Sequence, residues 1–186
     1  LIRVFDILLS ITLLFISFPI LCFIFIGCWW DTGSPIFAQD RIGRNKQKFK
    51  IFKFRTLPRN SPSVPTHELN DLAISRVGSV LRWSKLDELP QLFNVVLGSM
   101  SLVGPRPCLP TQQRLISIRD ALGLYDGIRP GVTGLAQIRG VDMSDPCRLV
   151  EIELEMTRKW SSLWAYFKIL ALTLIKRKNT DFTRRD

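Results

Sequence analysis

The sequence has few of the residues that hold metals or disulfides. It contains one histidine, His67, and its cysteines form neither a Cys-x-x-Cys pair nor a Cys/His cluster. A zinc site, a His-based metal site and a disulfide framework are therefore unsupported, which agrees with a reducing compartment. Internal repeats and low-complexity tracts are lacking as well. The four cysteines are Cys22, Cys28, Cys108 and Cys147.

Charge is missing from one long stretch. The 24 residues from Ile7 to Trp30 carry no formal charge, and much of the 46% hydrophobic content lies there. That content excludes a disordered chain, because there is ample apolar surface to bury. A length of 186 residues corresponds to about one domain. We therefore predict a membrane segment at 1–30 and a single domain at 31–186.

The domain is strongly basic. Of 26 Lys and Arg residues 25 follow the apolar run, as do 15 of 16 Asp and Glu residues, so this part carries the net charge of +10. The positive-inside rule and attraction to anionic headgroups predict the cytoplasmic face of a membrane. The same charge would also suit nucleic acid or anionic phosphate substrates.

Three structures are compatible with the apolar run. A cleaved signal peptide is disfavoured, because no small-residue cleavage site follows the run. A single spanning helix needs about 20 apolar residues, which the run supplies. A re-entrant helix that returns to the same face is the third, because Pro19 near the middle removes a backbone donor and predicts a kink there. The residues alone leave the second and third open.

The rest of the chain predicts mostly helices. Residues 49–55 alternate apolar and basic, which is typical of a half-buried strand. Helical spacing predicts a helix over about 68–83 and a second over about 88–97, with Asp87 as its N-cap and Pro90 at its third position. The apolar residues 163–175 are short for a span and predict a buried or interfacial helix.

Asp87 and Glu88 are the leading candidates for chemistry. Adjacent carboxylates on a helix usually form a solvated surface. Here they fall at a predicted helix N-terminus, where the dipole would help to keep Asp87 ionised. An Asp can act as a covalent nucleophile in phosphoryl transfer, and a neighbouring carboxylate can hold Mg²⁺.

Four basic residues are candidates for phosphate contacts. Arg106 lies between two prolines that stiffen its backbone, and its planar fork suits a diphosphate. Arg129 precedes Pro-Gly, which permits a tight turn. Lys53 and Arg55 alternate on the predicted strand and so share a face. Structural salt bridges for the two former residues, and a membrane-facing basic surface for the two latter, are the alternatives.

Longer motifs resemble one family, the bacterial sugar transferases, that is, the small monotopic phosphoglycosyl transferases. The resemblance covers nearly the whole chain in order. It rests on Phe5-Asp6, Pro35-x-Phe37-x-Gln39-x-Arg41-x-Gly43, Phe52-Lys53-Phe54-Arg55-Thr56, Asp87-Glu88-Leu89-Pro90-Gln91-Leu92-Phe93-Asn94-Val95, Gly98, Met100-Ser101, Val103-Gly104-Pro105-Arg106-Pro107 and Arg129-Pro130-Gly131-Val132-Thr133-Gly134-Leu135-Ala136-Gln137.

The resemblance implies a two-step reaction. Asp87 matches the nucleophile that attacks the β-phosphate of a UDP-sugar, expels UMP and forms a phosphosugar–aspartate intermediate. A polyprenol phosphate such as undecaprenyl phosphate then takes the sugar phosphate, which begins a glycoconjugate. Glu88 matches the Mg²⁺-associated residue. The implied fold is mainly α with a small β element: a re-entrant membrane helix-hairpin and a compact cytoplasmic domain with interfacial amphipathic helices.

The implied location is the cytoplasmic face of the bacterial inner membrane. The implied partners are a UDP-sugar, a polyprenol phosphate and membrane lipid, with a homodimer possible and nucleic acid not expected. Relatives often carry Ser-Pro at the membrane break, where this chain has Phe18-Pro19, with Ser17 one residue earlier as the residue whose hydroxyl could bond a freed carbonyl. They also often carry Asn where this chain has Arg139. The competing function is a non-catalytic, membrane-anchored basic module that binds anionic lipid or nucleic acid.

Overall fold

The structure, a computed structural model, describes residues 1–59, 74–159 and 162–180. As predicted, it is mainly helical with two small sheets. The predicted loop around 58–65, His67 and the first part of the helix predicted at 68–83 lie largely or wholly outside the described residues. The elements are α1 Ile2–Thr32, β1 Ile36–Ile42, β2 Lys48–Phe54, α2 Arg76–Ser84, α3 Gln91–Leu97, β3 Ser101–Val103, α4 Gln113–Ala121, β4 Gly131–Thr133, α5 Leu135–Arg139, α6 Pro146–Lys159 and α7 Leu163–Thr180.

Helix α1 contains the whole apolar run. Within the described residues it is the one helix that is long and apolar enough to cross a membrane. It continues as a helix through Pro19, so no break accompanies the expected kink. The carbonyl that a proline frees is four residues back, at Phe15. The Ser17 hydroxyl donates to the carbonyl of Leu13 at 2.6 Å rather than to this freed carbonyl.

Both ends of α1 pack on the rest of the chain. Near its start, Asp6 is 2% exposed and Leu9 packs against the cluster of Leu92, Val95 and Met100. Near its end, Cys28 is fully buried in a second cluster with Phe54 and Leu81. Between these contacts the helix is open, with Phe15 83% exposed and Phe18 63% exposed. The folded domain thus holds the two ends of an otherwise bare apolar helix.

The first sheet is an antiparallel pair that confirms the predicted strand. Strands β1 and β2 pair so that Phe37 lies opposite Lys53. The other edge of β2 is held by the buried Asn94 of α3, whose side-chain oxygen accepts from the Phe52 N–H at 3.0 Å and whose NH₂ donates to the Lys50 carbonyl at 2.7 Å. This amide therefore locks α3 to the strand that carries Lys53.

The second sheet is a short parallel pair. Strand β3 pairs with β4, Ser101 opposite Gly131 and Val103 opposite Thr133. A Cβ atom on Gly104 would lie 2.5 Å from the carbonyl oxygen of Arg129, so glycine is needed for the two backbones to approach. The segment after β3 is thereby fixed against the segment before β4.

The start of α3 differs from the prediction. The helix begins at Gln91 with Pro90 at its N-cap, and Leu86–Glu88 form a separate 3₁₀ turn. Asp87 is therefore not the N-cap, and Pro90 does not occupy the third helical position. The reason is local: proline has no N–H to give to an intrahelical bond, so the position just before the first turn suits it as well as one inside that turn.

The other predicted helices are present. In α2, the Ser75 hydroxyl caps the start by accepting from the Gly78 N–H at 2.9 Å. Helix α7 buries Tyr166 and Ile169, whereas Trp164 is 72% exposed. One side of α7 is therefore buried in the domain, and another side is exposed. Helices α4, α5 and α6 enclose the largest core, which includes Leu115, Leu135, Leu149 and Met156.

Candidate active site

The two carboxylates lie in the tight connection between α2 and α3. Helix α2 ends at Ser84, and Lys85 adopts a left-handed conformation with φ of 57°, which is uncommon for a residue with a side chain. The 3₁₀ turn that carries Asp87 and Glu88 follows directly. Contacts of Asn94 with β2 then hold α3, and with it this turn, beside Lys53.

Asp87 is buried and unpaired. It is 9% exposed, and its Oδ1 atom has no hydrogen-bond partner among the described residues. Burial raises the pKa of Asp87 to about 6; the Glu88 charge adds to the rise, and the Lys53 ammonium opposes it. The expectation that a helix N-terminus would favour the ionised form is thus outweighed by desolvation. The result is a carboxylate with a lone pair that nothing in the described chain engages.

Glu88 has the opposite environment. The Lys53 ammonium donates to its Oε1 atom at 2.7 Å, and an Arg106 guanidinium nitrogen lies 3.7 Å from the same oxygen. Burial alone would raise the pKa of Glu88, but the charges of Lys53 and Arg106 outweigh burial and lower it to about 2. Two adjacent carboxylates therefore have pKa values that are pushed apart, a pattern typical of sites where they have different tasks.

The four predicted basic residues separate into three places. Lys53 and Arg106 meet at Glu88. Arg55 stacks on Phe37 with 5.4 Å between its guanidinium carbon and the ring centre, and its Nε donates to the Ser34 carbonyl at 3.1 Å. Phe37 faces Lys53 across the sheet, so the prediction that Lys53 and Arg55 share a face is confirmed. No contact of Arg55 with either carboxylate is present in the described structure.

Arg129 lies at the far end of α3. Its Nε donates at 2.9 Å to the carbonyl of Gly98, the C-cap residue of α3, whereas Asp87 precedes the start of that helix. Burial lowers the pKa of Arg129, and the nearby charges of Arg3 and Arg44 lower it further. The described structure thus groups Arg129 with Arg3 rather than with Glu88.

The same end of α3 joins the membrane helix to the domain. Arg3 donates to the carbonyls of Val95 at 2.5 Å and Met100 at 3.1 Å, which neutralises the end of α3. The buried Asp6 carboxylate accepts from the Tyr166 hydroxyl at 2.7 Å, the Leu102 N–H at 2.8 Å and the Ser101 hydroxyl at 2.9 Å. One carboxylate therefore ties α1 to β3 and α7.

The arrangement suits chemistry on an anionic phosphate. A buried carboxylate with an open oxygen can act as a nucleophile, and cations beside it offset its repulsion from phosphate. Lys53 and Arg106 supply those cations from a strand and from a segment stiffened by two prolines. Sequence comparison points the same way. The family model for bacterial sugar transferases matches residues 1–179.

The chain belongs to this family. Undecaprenyl-phosphate glucose phosphotransferase of Komagataeibacter xylinus is 38% identical over 189 residues, which cover 95% of this chain and 35% of that protein. UDP-glucose:undecaprenyl-phosphate glucose-1-phosphate transferase of Escherichia coli K12 is 36% identical over 180 residues, covering 92% and 39%. Undecaprenyl-phosphate galactose phosphotransferase of Salmonella typhimurium is 35% identical over 188 residues, with the same coverage. The chain spans less than two-fifths of these relatives.

Three polar residues at this family member's site were not among the predicted site residues. Arg41 and Asn94 lie within motif stretches that carry the family resemblance, so a signal for them was present in the sequence. Arg82 gave no such signal; its Nε donates to the Thr56 hydroxyl at 2.8 Å, and its charge acts on Asp87. Periodicity assigns such residues to strands and helices but does not reveal what their side chains contact.

Proposed function

We propose that this protein transfers a sugar-1-phosphate from a UDP-sugar to a polyprenol phosphate and releases UMP. The observation that carries the proposal is the buried Asp87, whose Oδ1 has no partner in the described chain, next to a Glu88 engaged by Lys53 and Arg106. The names of the relatives, which specify undecaprenyl phosphate and UDP-glucose or galactose, support the substrate classes.

The proposed reaction has two displacements at one phosphorus atom. In the first, a carboxylate oxygen of Asp87 bonds to the β-phosphorus of the UDP-sugar while the bond from that phosphorus to the bridging oxygen breaks. UMP leaves with that oxygen and its electron pair. In the second, a phosphate oxygen of the polyprenol phosphate bonds to the same phosphorus, and the bond to Asp87 breaks. The products are a polyprenyl diphospho-sugar and the regenerated carboxylate.

The raised pKa of Asp87 is compatible with this task. With a pKa of about 6 the carboxylate is ionised at neutral pH, yet it is poorly solvated, and its Oδ1 has no hydrogen bond with the described residues to break before it attacks. Glu88, with its lowered pKa, stays charged over the same range. Its ion pairs hold the Lys53 and Arg106 side chains in fixed positions beside the place that we propose for the diphosphate.

Magnesium fits the donor set as an ion shared with the substrate. No group of three or more His, Cys, Asp or Glu residues gathers within the described residues, so they provide no complete protein cage. Mg²⁺ commonly uses one or two carboxylates together with substrate phosphates and water. Lys53 and Arg106 both approach Oε1 of Glu88, which leaves its second oxygen for a cation. The ion would supply neutralisation of the charge that develops on the leaving UMP.

We also propose that α1 is re-entrant and that the domain lies on the cytoplasmic face. A spanning helix puts its ends on opposite sides of a hydrocarbon core about 30 Å thick. Yet Asp6 and Cys28, near the two ends of α1, are both buried against one folded domain. The exposed apolar middle around Phe15 and Phe18 is what would enter the lipid. In this position a polyprenol chain stays in the membrane while its phosphate reaches the domain.

Release of UMP from reconstituted protein tests the chemistry. With UDP-glucose or UDP-galactose and Mg²⁺ but no acceptor, we expect a single stoichiometric burst of UMP and a mass gain of one sugar phosphate on the peptide that contains Asp87. Added undecaprenyl phosphate should convert the burst into turnover. Asp87→Asn should show neither, whereas Asp126→Asn, an exposed carboxylate, should behave normally.

Two results would contradict the proposal. Normal turnover by Asp87→Asn excludes Asp87 as the nucleophile, and turnover without any burst excludes the covalent intermediate. If no UMP forms while the protein binds anionic vesicles with steep salt dependence, the non-catalytic basic module is the better description.

Cysteine labelling tests the topology. The background replaces the exposed Cys22 and Cys147 with Ser, and reporters are introduced as Leu1→Cys and Gln47→Cys. An impermeant maleimide should label both reporters in inverted vesicles and neither in intact spheroplasts. Labelling of the two reporters from opposite sides would exclude the re-entrant helix.

A further inference from the structure

Arg41 of β1 is a buried cation without a carboxylate partner. It is 8% exposed, and its guanidinium donates to two neutral acceptors, the Pro107 carbonyl at 3.1 Å and the Gln39 side-chain oxygen at 2.6 Å. Its Nε is buried and has no acceptor among the described residues, and none of their carboxylates lies within 4.0 Å of the guanidinium.

Arg119 shows how this fold treats a buried arginine that is purely structural. It is 2% exposed, and it bonds Glu153 through two nitrogens, at 2.9 and 2.5 Å. Its charge is thus fully matched inside the domain. A buried charge without such a match is costly and persists only where something else requires it. Arg41 is therefore unlike the structural arginine of the same core.

The hydrogen bonds of Arg41 hold the segment that carries Arg106. Four contacts fix this segment: Gly131 N–H to the Pro105 carbonyl at 2.9 Å, the Arg106 backbone N–H to the Glu153 carboxylate, Arg41 to the Pro107 carbonyl, and Ile42 N–H to the Cys108 carbonyl at 2.9 Å. The Arg41 bond is the one nearest in sequence to Arg106 on its C-terminal side. Its loss would release the Pro107 carbonyl and so loosen the C-terminal side of the segment that carries Arg106.

The charges around Arg41 leave a local surplus of positive charge. Burial lowers the pKa of Arg41 most and the Arg106 guanidinium lowers it further, whereas Cys108 and the Glu88 carboxylate act in the opposite direction. Glu88 is already engaged by Lys53 and Arg106. The charges of Arg41, Lys53, Lys85 and Arg106 thus all act on the one carboxylate of Glu88. An anion with two or more charges would balance the group.

We propose that Arg41 is a positioning residue of the diphosphate site: it holds Arg106 through the Pro107 carbonyl and supplies buried positive charge that only the bound nucleoside diphosphate neutralises. This inference rests on the proposed function, because it assigns the diphosphate group to the place where Lys53, Arg106 and Glu88 meet. The inference predicts that loss of the Arg41 charge lowers the affinity for UDP more than the affinity for UMP.

The test measures binding of UDP and UMP to the full reconstituted chain at constant Mg²⁺, with wild-type protein and four variants. Arg41→Lys keeps the charge, Arg41→Gln keeps a donor without the charge, and Arg41→Met keeps neither. Arg114→Gln removes the same charge from an exposed position as the control. Thermal unfolding without ligand is recorded for each.

For Arg41→Gln and Arg41→Met we expect UDP affinity to fall about tenfold or more and UMP affinity to fall much less, because the second phosphate carries the additional charge. Arg41→Lys should stay within about threefold of wild type for UDP, since a charge remains in the same buried position. The unfolding temperature of Arg41→Met should not fall below that of wild type, because the variant removes an unmatched buried charge.

Equal losses of UDP and UMP affinity together with lower unfolding temperatures for all three variants would overturn the inference and leave Arg41 a structural residue. Unchanged UDP affinity in Arg41→Gln would overturn it as well. Should Arg41→Met fail to fold, the comparison of Arg41→Lys with Arg41→Gln still decides. Failure of the proposed function is recognised separately, because wild-type protein would then neither bind UDP nor release UMP.

Discussion

Replacement of Asp87 by Asn should abolish UMP release and, without ligand, make the protein more stable. Burial raises the pKa of Asp87 from 3.8 to about 6. Each pKa unit corresponds to about 1.36 kcal/mol, so the ionised carboxylate costs the folded state roughly 3 kcal/mol at pH 8. The buried Asn amide has its own desolvation cost of about 1–2 kcal/mol. The net gain is then about 1–2 kcal/mol.

The sign of the pH dependence follows from linkage. The folded carboxyl group binds its proton more tightly than the unfolded one, so its destabilising effect is absent below pH 3.8, grows from pH 3.8 to 6 and is complete above 6. The advantage of Asp87→Asn should therefore be larger at pH 8 than at pH 5. For a chain of this size, 1–2 kcal/mol corresponds to about 2–8 °C in unfolding temperature.

Thermal unfolding followed by tryptophan fluorescence, with a chelator and without nucleotide, measures this difference. Asp126→Asn is the matched control at an exposed position and should change the unfolding temperature little at either pH. If Asp87→Asn is less stable than wild type at pH 8, or if its gain is equal at pH 5 and pH 8, an unmatched buried charge on Asp87 is excluded.

Three further predictions follow from other contacts. Lys53→Met removes the closest cation from Glu88, so the pKa of Glu88 should rise and kcat/KM for UMP release should fall about 100-fold, as for loss of one charge-stabilising donor. Asp6→Asn removes the carboxylate that accepts hydrogen bonds from Ser101, Leu102 and Tyr166. It should lower the free energy of unfolding by about 3 kcal/mol in denaturant titrations. Gly104→Ala forces a Cβ to within 2.5 Å of a backbone oxygen and should lower the unfolding temperature, whereas Gly27→Ala, whose Cβ would meet its nearest neighbour at 3.9 Å, should not.

Each of these has a clear contrary result. Lys50→Met removes an exposed cation of the same strand and should leave kcat/KM near wild type; equal losses in the two lysine variants would exclude a specific role for the Lys53–Glu88 contact. Unchanged stability of Asp6→Asn would mean that its hydrogen bonds are replaced by water. Equal stability of the two glycine variants would exclude the close approach of the two backbones before β4.

The pairing of Asp87 with Glu88 illustrates how burial assigns different roles to identical groups. Both are carboxylates in one turn, yet among the described residues only Glu88 forms ion pairs. The cations beside Glu88 lower its pKa to about 2, so it stays ionised. Burial raises the pKa of Asp87 to about 6. The proposed reaction needs a nucleophile and a metal ligand that differ in this way, so the asymmetry supports the proposal.

The sequence by itself determined the features that depend on local patterns. A charge-free run predicted α1, alternation of apolar and basic residues predicted β2, and proline on both sides of Arg106 predicted a stiff presentation of that residue. The adjacency of Asp87 and Glu88 was visible in the same way. The start of α3 was predicted wrongly, because proline suits both the N-cap and the first turn of a helix, and local pattern does not separate these positions.

Only the tertiary structure decided which of these groups meet. It brings Lys53 and Arg106 to Glu88 and leaves Oδ1 of Asp87 without a hydrogen-bond partner in the part of the chain that is described. It also places Arg129 beside Arg3 at the other end of α3 and buries Asp6 and Cys28 of α1 against the same domain. Such meetings depend on long-range packing, on the amide of Asn94 that joins α3 to β2, and on the glycines that let β3 and β4 approach. The physical reason is that burial and neighbouring charges, not residue type, set the pKa values and the open oxygen on which the site depends.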